Sequence, residues 1–288
     1  MSYNNKSINS NKKFSDKLKY VLKNLPTKYA ENDVTAFSAQ MAYFLFMSIF
    51  PALIFLIGLL GRFSIEYRWD ISGYISLIPR QASYIIQEYI KNLIAVDGPA
   101  LFSISGIFMI YSASRGINSL MRSLNKAFDI KEDRGFVKVK LLGIFYTIMI
   151  MLSIVVALVI PNLGYDFFMG LSKYIKIPEL FAKMSTLFGW VIYLVLINIV
   201  IGSLYVFLPN RRIRYTEVIP GTIIALIGWS IISRGFSFFI ANFSNISVIY
   251  GSLTAVIILM IWLYLSSTIL MIGGEINSLL IEYKAGRW

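Results

Sequence analysis

Arg115, Arg122 and Lys126 fall, together with Ser105, Ser112 and Ser119, within about a third of a helix circumference when each residue advances about 100°. Guanidinium groups flanked by hydroxyls suit an anionic partner, which they grip through charge-assisted and often bidentate hydrogen bonds. A carboxylate that could answer them closes a long apolar run at Leu270-Met271-Ile272-Gly273-Gly274-Glu275. Asn198 and Gln40 add amides inside other apolar stretches. The chemistry on offer is recognition of an anion, with Glu275 holding Arg115 or Arg122 in place.

Covalent and metal-assisted chemistry find no residues. The chain has neither histidine nor cysteine, which removes disulfides, thiolate nucleophiles and the commonest transition-metal ligands. Glu275 has no acidic neighbour within a helical turn, and the densest acidic pair, Glu132-Asp133, stands among basic residues. A one- or two-metal hydrolytic centre needs clustered carboxylates, so no catalytic or metal-binding residue is assigned. No glycine-rich phosphate loop marks a nucleotide, and no cofactor is expected.

The elements that must carry these groups are membrane spans. Hydrophobic residues make up 57% of the 288 and charged ones 15%, with mean hydropathy +0.68. A soluble domain carries about 25% charged residues. Apolar blocks predict six transmembrane helices, at about 36–61, 99–119, 139–161, 181–208, 216–240 and 251–276. The expected fold class is an all-α integral membrane protein. Its domains would be a cytoplasmic basic arm over 1–34, a membrane domain over 35–280 and a short tail over 281–288.

The net charge of +12 is read by position. Most Lys and Arg residues gather in the N-terminal arm, around 115–140, at Arg211, Arg212 and Arg214, and in the tail. The positive-inside rule then places both termini in the cytoplasm and assigns the excess charge to inner-leaflet lipid, not to nucleic acid. The lysine-rich start has no apolar segment of the signal-peptide kind, so insertion by the spans themselves is expected.

Phe14, Leu18, Val21, Leu22, Leu25 and Tyr29 recur at helical spacing, predicting an amphipathic helix on anionic headgroups. The connection from Phe63 to Asp97 is expected to form one or two short helices capping the bundle from outside. Pro51 falls near the middle of the first span, where it removes a backbone hydrogen bond and predicts a kink. Gly273 and Gly274 predict a close helix approach beside Glu275.

Counted along its helix, Arg115 lies about sixteen residues, or roughly 24 Å, below Pro99, in the inner third of the membrane. Asn198 reaches a similar depth, and Gln40 and Glu275 come near the inner edge. Two readings stand open. In one, these groups line a cytoplasm-facing polar cavity that binds an anionic or amphipathic substrate. In the other, the arginines snorkel to inner headgroups and Glu275 is an ordinary interfacial residue.

Several stretches carry a family resemblance covering about residues 30–285: Ala42-Tyr-Phe-Leu-Phe-Met-Ser-Ile-Phe-Pro51, the segment from Arg115-Gly116 to Leu124-Asn-Lys-Ala-Phe128, and Tyr250-Gly-Ser-Leu through Trp262-Leu-Tyr-Leu to Gly273-Gly-Glu-Ile-Asn277. The sequence resembles the YihY/BrkB family of multi-pass bacterial membrane proteins. It departs at Gly274, where the family usually has alanine, and at Arg134-Gly135, where arginine-proline is common.

The resemblance implies a six-helix protein of the bacterial cytoplasmic membrane. It brings two labels, a serum-resistance or virulence factor and an old ribonuclease BN assignment. The missing ligands argue against the nuclease label. The expected function is a transporter or lipid-translocating protein; the alternative is a non-catalytic membrane factor that organises the cell envelope.

Overall fold

A computed structural model describes residues 4–63, 99–153, 179–242 and 253–286, with side chains placed over 15–55, 103–153, 191, 194–239 and 256–286. The cap expected after Phe63 lies outside the described residues. The elements in chain order are α1 (Asn4–Glu31), α2 (Val34–Phe63), α3 (Pro99–Ala127), α4 (Phe136–Ser153), α5 (Glu179–Phe207), α6 (Tyr215–Asn242) and α7 (Leu253–Lys284). An all-α bundle follows from the composition, because long apolar runs in lipid must satisfy their backbone groups internally.

The expectation of six membrane-crossing helices is corrected here. Among the described residues four helices are long and apolar enough to cross: Val34–Phe55, Phe136–Ser153, Tyr215–Phe239 and Val256–Lys284. The 29 residues of α3 are long enough, but its serines, Asn118, Arg115 and Arg122 dilute the apolar run. In α5 the described apolar stretch is Leu194–Phe207, about 21 Å of helix against a hydrocarbon core of about 30 Å.

The chain divides into two compact units, one combining Met1–Tyr43 with Ser114–Trp288 and the other spanning Phe44–Ala113. In the first, α7 packs most extensively on α6, while α1 lies on α7 and α5 on α6. Leu120, Leu124, Leu204, Tyr205, Leu208, Val218, Met271 and Leu279 form its buried core.

Glycine sets the α6–α7 distance. A Cβ on Gly273 would stand 2.7 Å from the Gly221 carbonyl oxygen, and one on Gly221 would collide with the Gly273 carbonyl. The Tyr205 hydroxyl donates to the Leu270 carbonyl at 2.6 Å, fastening α5 to the same part of α7. Gly274 faces Leu124 of α3, whose side chain occupies the space a Cβ would need.

In the second unit α2 runs helically through Pro51. One turn earlier the Ser48 hydroxyl donates to the Leu45 carbonyl at 2.6 Å. Phe46 and Phe50 meet edge to face with centroids 5.7 Å apart, and Gly106 of α3 lies beneath the Phe55 ring.

Two corners end helices on aspartates with φ of 52°, Asp33 and Asp129. Aspartate tolerates this left-handed conformation better than most residues. At Asp129 the chain closes a Schellman motif: the Ile130 N–H donates to the Asn125 carbonyl at 2.8 Å and the Asp129 N–H to the Lys126 carbonyl at 3.1 Å. Both corners belong to the polar end of the bundle.

Candidate functional site

Glu275 is fully buried although it carries a carboxylate. α7 brings it against the α1–α2 corner, where both its oxygens accept from the Asn32 side-chain amide, at 3.0 and 2.9 Å. Asn32 is itself buried, in the short turn between two long helices. Its N–H bonds back to the Lys28 carbonyl at 2.9 Å, which fixes the direction of the side chain.

Two ion pairs flank this contact. Lys28 of α1 meets Glu282 of α7 at 3.2 Å, and Lys126 of α3 meets Asp33. Burial works against the Lys28 ammonium, but the hydrogen bond and charge of Glu282, with Glu275 and Glu31 behind it, hold its pKa above the ordinary lysine value.

Further side chains tie the same helices together. The Ser278 hydroxyl donates to the Ala127 carbonyl at 2.5 Å, Ser119 to the Phe37 carbonyl at 2.8 Å, and Ser38 to the Met271 sulfur at 3.3 Å. Asn277, also fully buried, accepts from the Gly221 N–H at 2.8 Å.

A second polar cluster joins the α3–α4 and α5–α6 connections. Asn125 donates to Glu132 at 2.8 Å and accepts from the Asn210 N–H at 2.8 Å, while Asn210 also reaches Asp133. Arg134 grips Glu132 through Nε at 2.7 Å and donates to the Leu208 carbonyl at 2.7 Å. Those arginine bonds, with help from Asn125 and against partial burial, hold the Glu132 carboxyl below its ordinary pKa.

The residues singled out by sequence are dispersed over this scaffold. Arg115 and Arg122 are exposed on α3, whereas Ser105, Ser112 and Ser119 of the same stripe are buried. Glu275 thus faces the Asn32 amide, while the two arginines point outward. Asn198 accepts from the Tyr215 hydroxyl at 3.2 Å through its carbonyl and at 3.3 Å through its side chain. Gln40 is half-buried on α2.

Asn32, Lys28 and Asn277 were not singled out by sequence reasoning. The signal for Asn32 was its place beside Asp33, a turn-forming pair at the junction of a basic amphipathic run and an apolar one.

Within the first unit α3 has an exposed cationic line. Arg115, Arg122 and Lys126 recur at seven- and four-residue spacing, and all are exposed.

Compared with known proteins, residues 25–287 match the family described as virulence factor BrkB. The chain is 36% identical over 264 residues to the putative ribonuclease-like protein YfkH of Bacillus subtilis (strain 168), covering 91% of this chain and 96% of that protein. It is 24% identical over 257 residues to a UPF0761 membrane protein of Vibrio vulnificus (strain YJ016), covering 87% and 79%. A UPF0761 membrane protein of Aliivibrio fischeri (strain ATCC 700601 / ES114) is 26% identical over 264 residues, covering 90% and 83%. No solved structure matches. With four crossing-length apolar helices among its described residues, the chain is a multi-pass membrane protein.

Proposed function

This chain belongs to the BrkB virulence-factor family, and we propose that it is a transporter or lipid-translocating protein of the bacterial cytoplasmic membrane, with both termini cytoplasmic. The observation that carries this reading is the exposed cationic line of α3. An anionic headgroup or small anion fits at Arg115, Arg122 and Lys126. Behind that face Ser119 is buried and bonds to the Phe37 carbonyl of α2.

The reading is non-enzymatic. Among the described residues no three acidic side chains gather where a metal ion could be held.

The N-terminal helix is the second place where lipid is engaged. Val21 and Leu25 of α1 pack on Ile276 and Leu279 of α7, but Leu18 and Leu22 are exposed beside Lys19 and Lys23. That pairing of apolar and cationic groups suits the headgroup region of an anionic leaflet.

Reconstituted proteoliposomes test the function by comparing scrambling of a labelled anionic phospholipid with uptake of a small anion. One of the two activities is expected in the wild type. Arg115→Ala and Arg122→Ala should each reduce it about tenfold or more, since a charge-assisted hydrogen bond contributes roughly 1.5–3 kcal/mol. Abundance and insertion should stay unchanged. Neither activity in the wild type, or full activity in both variants, overturns the reading.

A further inference from the structure

Glu275 presents a charge problem that its neighbours do not solve. It is fully buried, and an ionised carboxylate away from water costs several kcal/mol unless an opposite charge meets it. What meets it is the neutral amide of Asn32, whose single nitrogen serves both oxygens. The cations within electrostatic reach are Lys28 and Lys126, and each is already paired, with Glu282 and with Asp33. Glu31, on the last turn of α1, adds a further negative charge near Lys28. Each cation that reaches Glu275 is thus offset by a carboxylate of its own, and neither is left to compensate Glu275 alone.

We propose that Glu275 is a proton-binding site, the proton being held between its carboxyl group and the Asn32 amide. Asn32 carries a donor and an acceptor side by side. A protonated Glu275 makes both bonds at once, its O–H donating to Oδ1 while its carbonyl oxygen accepts from Nδ2. The step takes one proton from water, forms one O–H bond and needs no other reactant.

A metal ion fits this place poorly, because an N–H donor already occupies both carboxylate oxygens and, among the described residues, no group of acidic ligands gathers there. The site joins the α1–α2 corner to α7, so proton occupancy is felt by three helices. In the transport reading, on which this one role rests, the proton is the coupling ion.

The test is infrared spectroscopy of the full chain in lipid nanodiscs across a pH series, with Glu275→Gln as the reference. The expected difference spectrum contains a protonated-carboxyl stretching band that grows as pH falls. The band should change frequency in Asn32→Ser. Its midpoint should move to higher pH in Lys28→Met and to lower pH in Glu282→Gln, because removing a nearby positive charge favours the neutral acid and removing a negative one disfavours it.

No titrating carboxyl band in that difference overturns the site, and a band indifferent to Asn32→Ser overturns the pairing. Gln at 275 keeps the shape and the amide contact; a thermal melt matching the wild type confirms that the reference is folded. Should the band titrate while substrate flux in proteoliposomes ignores a pH gradient, the coupling role alone is discarded. Absence of any flux would instead count against the transport reading and leave the proton site standing.

Discussion

Gly221 and Gly273 face each other across the α6–α7 crossing at a distance that excludes a side chain on either. Gly235, on the same helix as Gly221, has nothing within 4 Å of the position a Cβ would take. Gly273→Ala should therefore destabilise the protein by about 1–3 kcal/mol through overpacking. Gly235→Ala should stabilise it by up to about 1 kcal/mol through helix propensity. Thermal melts in detergent read the opposite signs, and equal melting temperatures would refute the close approach. Glu132 supplies a pH dependence of known sign. Its folded pKa lies below the ordinary value of 4.5, so its bonds to Arg134 and Asn125 stabilise the fold above that value. The contribution is lost as pH falls through the folded pKa. Glu132→Gln should be less stable than the wild type at neutral pH, and the gap should close in acid; a gap that stays constant in a pH series of melts would show that the carboxylate is not the working group.

At the scale of elements, α1 divides its apolar stripe between protein and lipid. Val21 is buried against α7 while Leu22, one residue later, is 62% exposed. A tryptophan at Leu22 should be quenched by brominated lipids in anionic nanodiscs, and one at Val21 much less. Equal quenching would mean that α1 does not rest on the membrane surface. The stripe itself was legible, because period 3.6 marks a helix face whatever covers it. Its partner was not, since no local pattern names Ile276 and Leu279. The same limit explains Glu275. Charge complementarity pointed to Arg115 or Arg122, but the rotation of α3 turns both outward, and the carboxylate meets Asn32 across a sequence separation of 243 residues. For α3 the polar stripe was readable residue by residue; a crossing was expected from its length, whereas Arg115, Asn118 and the serines leave it less apolar than the four crossing helices.

At the largest scale, the contacts of the first unit constrain which segments share one end of that unit. Lys28 and Glu282 pair, which brings the N-terminal helix and the end of α7 together. Lys126 pairs with Asp33, Ser278 bonds to Ala127, and Asn125 joins Asn210, so the α3–α4 and α5–α6 connections belong to the same end. That end also carries the exposed Arg211, Arg212 and Arg214, and the proposed cytoplasmic orientation rests on this cationic excess. The chain lends itself to a direct test, because it has no cysteine and each introduced thiol is the only one present. Ser15→Cys and Gly286→Cys place the thiol at exposed positions near the two termini, which four crossings put on one side. In intact cells a membrane-impermeant maleimide should label neither, and after permeabilisation it should label both. Labelling of both in intact cells would invert the orientation while keeping the termini together. A split, with one terminus reacting and the other protected, would mean an odd number of crossings and would break the pairing of Lys28 with Glu282.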